Sequence, residues 1–287
     1  KAKILFSTTT KLPLFGLGKN LFKVIFVHGL VYIKKPETMK KLGFILDRFF
    51  VPNAIKRADI ILCASKFTYY DIKKNFPHHI DKVNIIPLAS PLERVKASKR
   101  LKSTPNKYIL CVGTIEPRKN YLNILRAYSK LSKEIQSEFP LLIVGSKGWG
   151  NINLKREIKN LNISNNVIIE NYISDSSLKT LYKNAYCLLY PSLFEGFGLP
   201  IIEAHFYGVP VIVSNNSSMP EVGGDGALLV EPNSLKSISA ALEKIIKDKT
   251  LRKKLSINAK NNARNYSWRK VSSKLIFILK NQIYHTN

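Results

Sequence analysis

No uninterrupted hydrophobic run approaches the ~18–20 residues of a membrane-spanning helix, and the stretch from Lys1 shows no secretory-signal pattern. Cysteine is sparse. Cys63, Cys111 and Cys187 each sit in an apolar, strand-like run with no metal-ligand spacing. That points to reduced core thiols in a cytoplasmic protein and against a disulfide framework or a structural zinc site. No Asp-x-Asp pair is present to hold a divalent cation, and no nucleic-acid-binding motif accompanies the basic residues, so nucleic acid is not an expected partner.

Acidic residues are the scarcest class relative to their opposites. The 287 residues carry 46 Lys and Arg against 19 Asp and Glu, a net charge of +27. The excess is uneven. Residues 1–105 hold 21 basic and 6 acidic side chains (+15), residues 106–234 hold 12 and 11 (+1), and residues 235–287 hold 13 and 2 (+11). The flanks therefore suit an anionic membrane surface or a phosphate-bearing partner, although a merely solvated Lys- and Asn-rich surface has the same composition.

The near-neutral middle contains the most informative stretch, Ser192 to Ala204. An apolar strand-like run, Tyr186 to Tyr190, precedes it. A helical pattern follows, with Pro200 at its start and Gly208 at its stop. A loop with two glycines thus joins a strand end to a helix start, where a parallel α/β sheet receives ligands and where free backbone N–H groups suit a phosphate. Glu195 lies in that loop, and Glu203 is expected in the first helical turn. A carboxylate beside phosphate-binding amides would repel the phosphate. Each Glu therefore reads as an acceptor for sugar hydroxyls, the pair bracketing a sugar and a ribose around a diphosphate.

This stretch resembles the E-x7-E motif of the retaining GT-B glycosyltransferases of family 4, most closely their bacterial mannosyltransferase-like branch. The likeness runs from about His28 to Trp268. It includes Val112-Gly113-Thr114-Ile115-Glu116-Pro117-Arg118-Lys119-Asn120, Gly145 to Gly150, and Ser218-Met219-Pro220-Glu221-Val222. The resemblance implies an α/β GT-B architecture: two Rossmann-like doubly wound domains facing across a cleft, the first incomplete. It implies no metal and no cofactor, the donor being a nucleotide diphosphate sugar, with GDP-mannose favoured by the branch. It further implies transfer of a hexose to a hydroxyl of a glycan or lipid-linked acceptor, on the cytoplasmic side and peripheral to the membrane.

Residue by residue, the resemblance places His28 in the cleft as a catalytic contact to the donor sugar. Gly29 replaces the family's usual Asp. Gly113 and Thr114 line the diphosphate, with Thr114 where many relatives carry Arg. Two adjacent cations before a helix start are placed to neutralise a diphosphate, so Lys119 and Arg118 are expected to do so. The Asn171–Asp175 segment, including Tyr172, would receive the base through its backbone. Glu195 would hold the donor sugar, Gly196, Phe197, Gly198 and Leu199 would supply amides, and Glu203 would hold the ribose. Glu221 reads as a helix-start carboxylate or an outer support for the site, and Trp268 as an anchor for the last helix. A binding module without catalysis and a basic scaffold remain the alternative readings.

Three strand–helix units are expected before residue 105, the first opening on a buried strand at Val24–Val27 that ends at His28, with no earlier unit of a strand and a Gly-rich loop. The chain, opening on Lys1, therefore reads as lacking the start of its first domain. Leu42, Ile45, Leu46, Phe49 and Phe50 recur at helical spacing between Lys34 and Arg57. That pattern suits a core-facing helix with a polar back or, second, a helix lying on a membrane. Residues 96–106 read as a linker. The second domain is expected over 106–267 with six strand–helix units, a helix running from Asn120 to about Gln136, and a last helix over 268–287 returning to the first domain.

Overall fold

The computed structural model describes residues 4–16, 18, 21–99 and 104–284. The chain divides into two units. One comprises Lys1–Leu88, Glu195–Phe197 and Trp268–Asn287, and the other Ala89–Phe194 and Gly198–Ser267. All strand pairs in both are parallel.

The first unit is a sheet of β1 (Ile4–Ser7), β2 (Phe22–Val27), β3 (Ile60–Cys63) and β4 (Val83–Ile85), in that spatial order. The last four residues of β2 and all of β3 are buried, which is why they read as unbroken apolar runs rather than alternating ones. Ile25, Val27, Ile55, Ile61 and Ile72 form the centre of the core. The strand β1 corrects one expectation. A strand does precede β2, pairing Ile4 with Phe22 and Ser7 with Ile25. Its half-exposed alternation (Ile4 and Phe6 are 39% and 40% exposed) and its four-residue length hid it. The turn after it holds hydroxyls rather than glycines: Ser7 Oγ donates to the Lys11 carbonyl and Thr10 Oγ1 to the Phe26 carbonyl.

The helix Lys41–Arg57 corrects another. It buries Val51, Ala54 and Ile55, whereas Leu42, Ile45, Leu46 and Phe49 are exposed. The sequence carries apolar residues on two opposite helical faces, and the sheet can cover only one.

The second unit is a doubly wound sheet in the order β10-β9-β8-β5-β6-β7, where β5 is Ile109–Val112, β6 Leu141–Val144, β7 Val167–Glu170, β8 Cys187–Tyr190, β9 Val211–Ser214 and β10 Ala227–Val230. Chain order reverses between β5 and β8, so the carboxyl ends of those two strands flank the crevice where such sheets bind ligands. The helix expected from Asn120 to Gln136 is two helices, Tyr121–Tyr128 and Lys133–Glu138. Ser132 caps the second by accepting from Ile135 N. Likewise Asp248 caps a fresh start between Leu235–Lys247 and Lys249–Ala263.

The boundary falls earlier than residue 105. Lys179 Nζ donates to the carbonyls of Leu92, Glu93 and Val95, and Thr180 Oγ1 donates to that of Ser98. These bonds draw residues 89–99 into the second unit; residues 100–103 of the expected linker lie outside the described residues.

Candidate functional site

In the second unit the loops after β5 and β8 are stitched together across the strand reversal. Glu116 leads into a short 3-10 turn, Pro117–Lys119, which ends at Asn120 with φ +62°. Asn is among the few side-chain-bearing residues that adopt this left-handed backbone readily. Its buried amide donates to the carbonyls of Pro191 (2.9 Å) and Pro232 (2.8 Å), pinning the loops after β8 and β10. Leu193 N donates to the Arg118 carbonyl at 2.8 Å. The Arg118 guanidinium bonds Glu116 Oε1 (2.5 Å) and the Phe194 carbonyl (2.9 Å). Arg118 is therefore already engaged in the loop that leads to Glu195.

Lys119 points inward. Its ammonium donates to Tyr190 Oη at 2.5 Å and stands 4.7 Å from the centre of the Tyr190 ring. Beneath it is Gly113, where an added Cβ would come within 3.3 Å of Lys119 Cε at a backbone φ of +144°. The Gly113 carbonyl accepts from Tyr121 Oη at 2.6 Å. At Gly145 an added Cβ would lie 1.9 Å from that same carbonyl, so the loops after β5 and β6 meet backbone to backbone. Thr114 is half-buried beside them. The result is a small cradle with one cation held over the end of β5.

Gly198 takes φ +94° to cap the helix Leu199–Phe206, with Pro200 at its second position. Glu203 is the fifth residue of that helix, so it lies beyond the first turn, correcting the sequence expectation. It is buried, and its Oε2 accepts from Tyr182 Oη at 2.7 Å. Burial pushes its carboxyl up to about 7. Asp175 adds to the rise, and the Tyr182 bond opposes it by favouring the ionised form. Tyr182 itself is driven well above its ordinary value by burial and by the adjacent carboxylate.

Between the loops after β6 and β7 lies a cavity of 730 Å³ lined by Ile115, Trp149, Ile152, Ile169 and Asn171 among others. Tyr172 stands outside it, 85% exposed. Glu221 is an exposed carboxylate in the first turn of the helix Met219–Gly223.

His28, Glu195, Gly196 and Phe197 belong to the first unit. His28 follows β2, and its Nε2 is 2.8 Å from the Thr8 carbonyl at the end of β1. Gly29 has φ +139°, a backbone that L-residues rarely adopt, so the chain path itself favours Gly over the family's Asp there. The Gly196 carbonyl accepts from Ser65 Oγ (2.7 Å) and Thr68 Oγ1 (3.1 Å). An added Cβ at Gly196 would meet the His28 carbonyl at 1.5 Å, so only glycine fits. Glu195 is 7% exposed.

Four contributors escaped the sequence reading: Tyr190, Tyr182, Asn120 and Ser65. Tyr190 ends the apolar run Tyr186–Tyr190 and Asn120 ends the stretch Val112–Asn120, and neither carries a contact in that reading.

The family model for glycosyl transferases group 1 matches residues 93–262. The chain is 32% identical over 232 residues to the O-antigen chain mannosyltransferase B of Escherichia coli, covering 78% of this chain and 61% of that protein. It is 31% identical over 225 residues to the O-antigen chain mannosyltransferase RfbU of Salmonella typhimurium, covering 78% and 60%. It spans about three fifths of the length of these curated relatives. Its fold matches Anabaena HepE, solved with UDP and glucose, with a TM-score of 0.77 at 16% identity over 91% of this chain and 72% of that one. The sucrose-phosphate synthase of Thermosynechococcus elongatus matches with a TM-score of 0.75 at 19% identity, over 93% and 69%. The shared fold is GT-B, and with more than half of its length inside the family model the chain belongs to the group 1 glycosyl transferases.

Proposed function

We propose that the protein containing this chain is a retaining hexosyltransferase that moves mannose from GDP-mannose to a hydroxyl of a glycan or lipid-linked acceptor, without a metal or other cofactor. The observation that carries this reading is the Lys119 ammonium, held by Tyr190 over Gly113 at the strand reversal. A cation fixed in a partly buried cradle stabilises a departing diphosphate more than a solvated one does, because it is screened less and needs no reorganisation as charge develops. The mannosyltransferase names of the relatives support the sugar, and guanine is the base that the resemblance to that branch implies.

In this reading Glu203 holds the ribose hydroxyls and Glu195 the donor sugar, with amides of Gly196, Phe197, Gly198 and Leu199 around the sugar and phosphate. His28 contacts the sugar as a catalytic residue. The base enters by the backbone of Asn171 and Tyr172, beside the 730 Å³ cavity. Arg118 contributes charge at the rim and, through Glu116 and the Phe194 carbonyl, shapes the loop that carries Glu195. The reaction takes place at the inner, anionic face of a membrane, to which the basic flanks are matched.

The test is a thermal-shift panel of nucleotide sugars on the full-length protein, followed by donor hydrolysis and transfer assays. GDP-mannose is expected to raise the melting temperature most. Glu203→Ala and Lys119→Ala are each expected to abolish the shift and the turnover. Full activity in both variants would overturn the site. Stabilisation by GDP-mannose with no turnover on any acceptor would leave a binding module only.

A further inference from the structure

The loop after β6 runs alongside the loop after β5 beyond the end of the sheet. Gly113 N donates to the Val144 carbonyl (3.0 Å), Ile115 N to that of Ser146 (2.9 Å), and Gly148 N to that of Ile115 (3.1 Å). Ile115 and Lys147 therefore pair as a parallel bridge outside the named strands. Two glycines let the loops lie this close. At Gly148 an added Cβ would stand 2.7 Å from the Ile115 carbonyl oxygen and 2.7 Å from Thr114 Cγ2. At Gly150 it would stand 2.4 Å from Pro117 Cγ and 2.7 Å from Pro117 Cδ, and the next atom, Ile152 Cγ1, is 3.8 Å away.

Pro117 opens the 3-10 turn that ends at Lys119. Its ring is thus seated where Gly150 has no side chain. The far end of the turn is fixed: the Asn120 amide bonds the carbonyls of Pro191 and Pro232, and the Arg118 carbonyl accepts from Leu193 N. With that end pinned, a ring pushed off its seat has to rotate the turn, and Lys119 rotates with it. The ammonium then leaves Tyr190 Oη, its partner over Gly113.

We propose that Gly148 and Gly150 are positioning residues for Lys119. They touch no reacting group. Gly148 sets the path of the main chain at Ile115, and Gly150 sets the Pro117 ring, so the loop after β6 aims a cation carried by the loop after β5. This deepens the proposed function and rests on Lys119 being the cation that receives the diphosphate. Misplacement of such a group by about 1 Å costs on the order of a hundredfold in rate.

The test is steady-state turnover of GDP-mannose by the full-length protein. Gly150→Ala is expected to lower kcat about 10- to 100-fold. KM is expected to move less than kcat, because the other donor contacts are untouched. Adding Pro117→Ala removes Cγ and Cδ and leaves the new methyl no neighbour nearer than 3.8 Å, so kcat is expected to return to that of Pro117→Ala alone. A side chain at the Gly150 φ of +95° is equally strained in both variants, so recovery reports the contact and not the strain. Gly148→Ala meets main chain instead. It is expected to lose turnover without rescue by Pro117→Ala, and it carries the test if Gly150→Ala does not fold. Crystal structures read the placement apart from the chemistry: the bond from Lys119 Nζ to Tyr190 Oη, 2.5 Å in the parent, is expected to be broken in each single glycine variant and restored in Gly150→Ala/Pro117→Ala. Parent-like kcat in the glycine variants, a double variant no better than Gly150→Ala, or an unmoved Lys119 would overturn the proposal. Full turnover in Lys119→Ala is a different failure: it would remove the diphosphate role of Lys119 and leave its placement to be judged by the structures alone.

Discussion

Tyr182 Oη donates to Glu203 Oε2 at 2.7 Å between two helices of the second unit, and both side chains are buried. The bond does two things. It satisfies a carboxylate oxygen that has little water, and it favours the ionised form against the desolvation that raises its pKa. Tyr182→Phe keeps the ring and removes the donor. The carboxyl is then expected to rise above about 7. Donor KM at neutral pH is expected to increase about tenfold, in line with the ~1.5–3 kcal/mol of a hydrogen bond to a charged group. The alkaline limb is the discriminating readout. Raising the pH should recover much of the lost affinity in Tyr182→Phe and none in Glu203→Gln.

Stability should depend on pH in two opposing ways through neighbours on one helix. Glu203 has a folded pKa of about 7, raised by burial above its unfolded value, so its contribution is full below the unfolded value and is lost as pH climbs through about 7. His205 is held down to about 4, also by burial, so the folded state disfavours its proton and stability is lost as pH falls from about 6.5 through about 4. Between roughly pH 4.5 and 6.5 the two slopes offset. Glu203→Gln should expose the histidine slope, with stability rising with pH. His205→Gln should expose the glutamate slope, with stability falling with pH. Urea midpoints at half-unit intervals from pH 4.5 to 8 would read this directly. Parallel curves for the two variants would contradict it.

Lys119 and Tyr190 should separate charge from placement. Lys119→Ala removes the cation and is expected to cost at least about a hundredfold in kcat/KM, the scale of losing one electrostatic contact to a developing charge. Tyr190→Phe retains the cation and the ring but frees the ammonium from its oxygen partner, and a loss of about three- to tenfold is expected. Lys119→Arg should not restore activity. A guanidinium is larger and planar, and the space over Gly113 is already tight at 3.3 Å from an added Cβ to Lys119 Cε.

How far these features could be read beforehand follows from their chemistry. The strands β2, β3, β5, β6, β8 and β9 are buried apolar runs, and such runs announce themselves in sequence. Loop glycines do so too: Gly113, Gly196 and Gly198 stand where a left-handed φ or a backbone approach leaves no room for a side chain. What the residues alone could not yield were partners distant in sequence. Tyr182 meets Glu203 from 21 positions away, Tyr190 meets Lys119 from 71, and Ser65 meets Gly196 from 131. The helix Lys41–Arg57 failed for another reason. Apolar periodicity says that a face exists, but when two faces are apolar it does not say which one the sheet will take. Gly29 is the converse case. Read against a family pattern it looks like a lost side chain, whereas its φ of +139° makes it a backbone requirement. Gly29→Asp is accordingly expected to destabilise by about 1–3 kcal/mol in chemical melts.

Arg118 offers the sharpest contrast between a ligand contact and a structural one. Its partner Glu116 is buried, with the side chain 3% exposed, and the guanidinium spans from that carboxylate to the Phe194 carbonyl. Arg118→Ala leaves Glu116 buried without its counter-charge, and breaking such a pair costs about 3–5 kcal/mol. For a unit of this size each kcal/mol lowers the melting temperature by about 2–4 °C. A drop of about 6–20 °C is therefore expected in Arg118→Ala. Replacing both partners, Arg118→Met with Glu116→Gln, should recover most of the melting temperature, since no buried charge is then stranded. It should not recover activity, because the tie to the Phe194 carbonyl that sets the approach to Glu195 is still missing. If Arg118 served only as a rim charge for the donor, Arg118→Ala would melt like the parent, and its defect would lie wholly in donor KM and fade at high ionic strength.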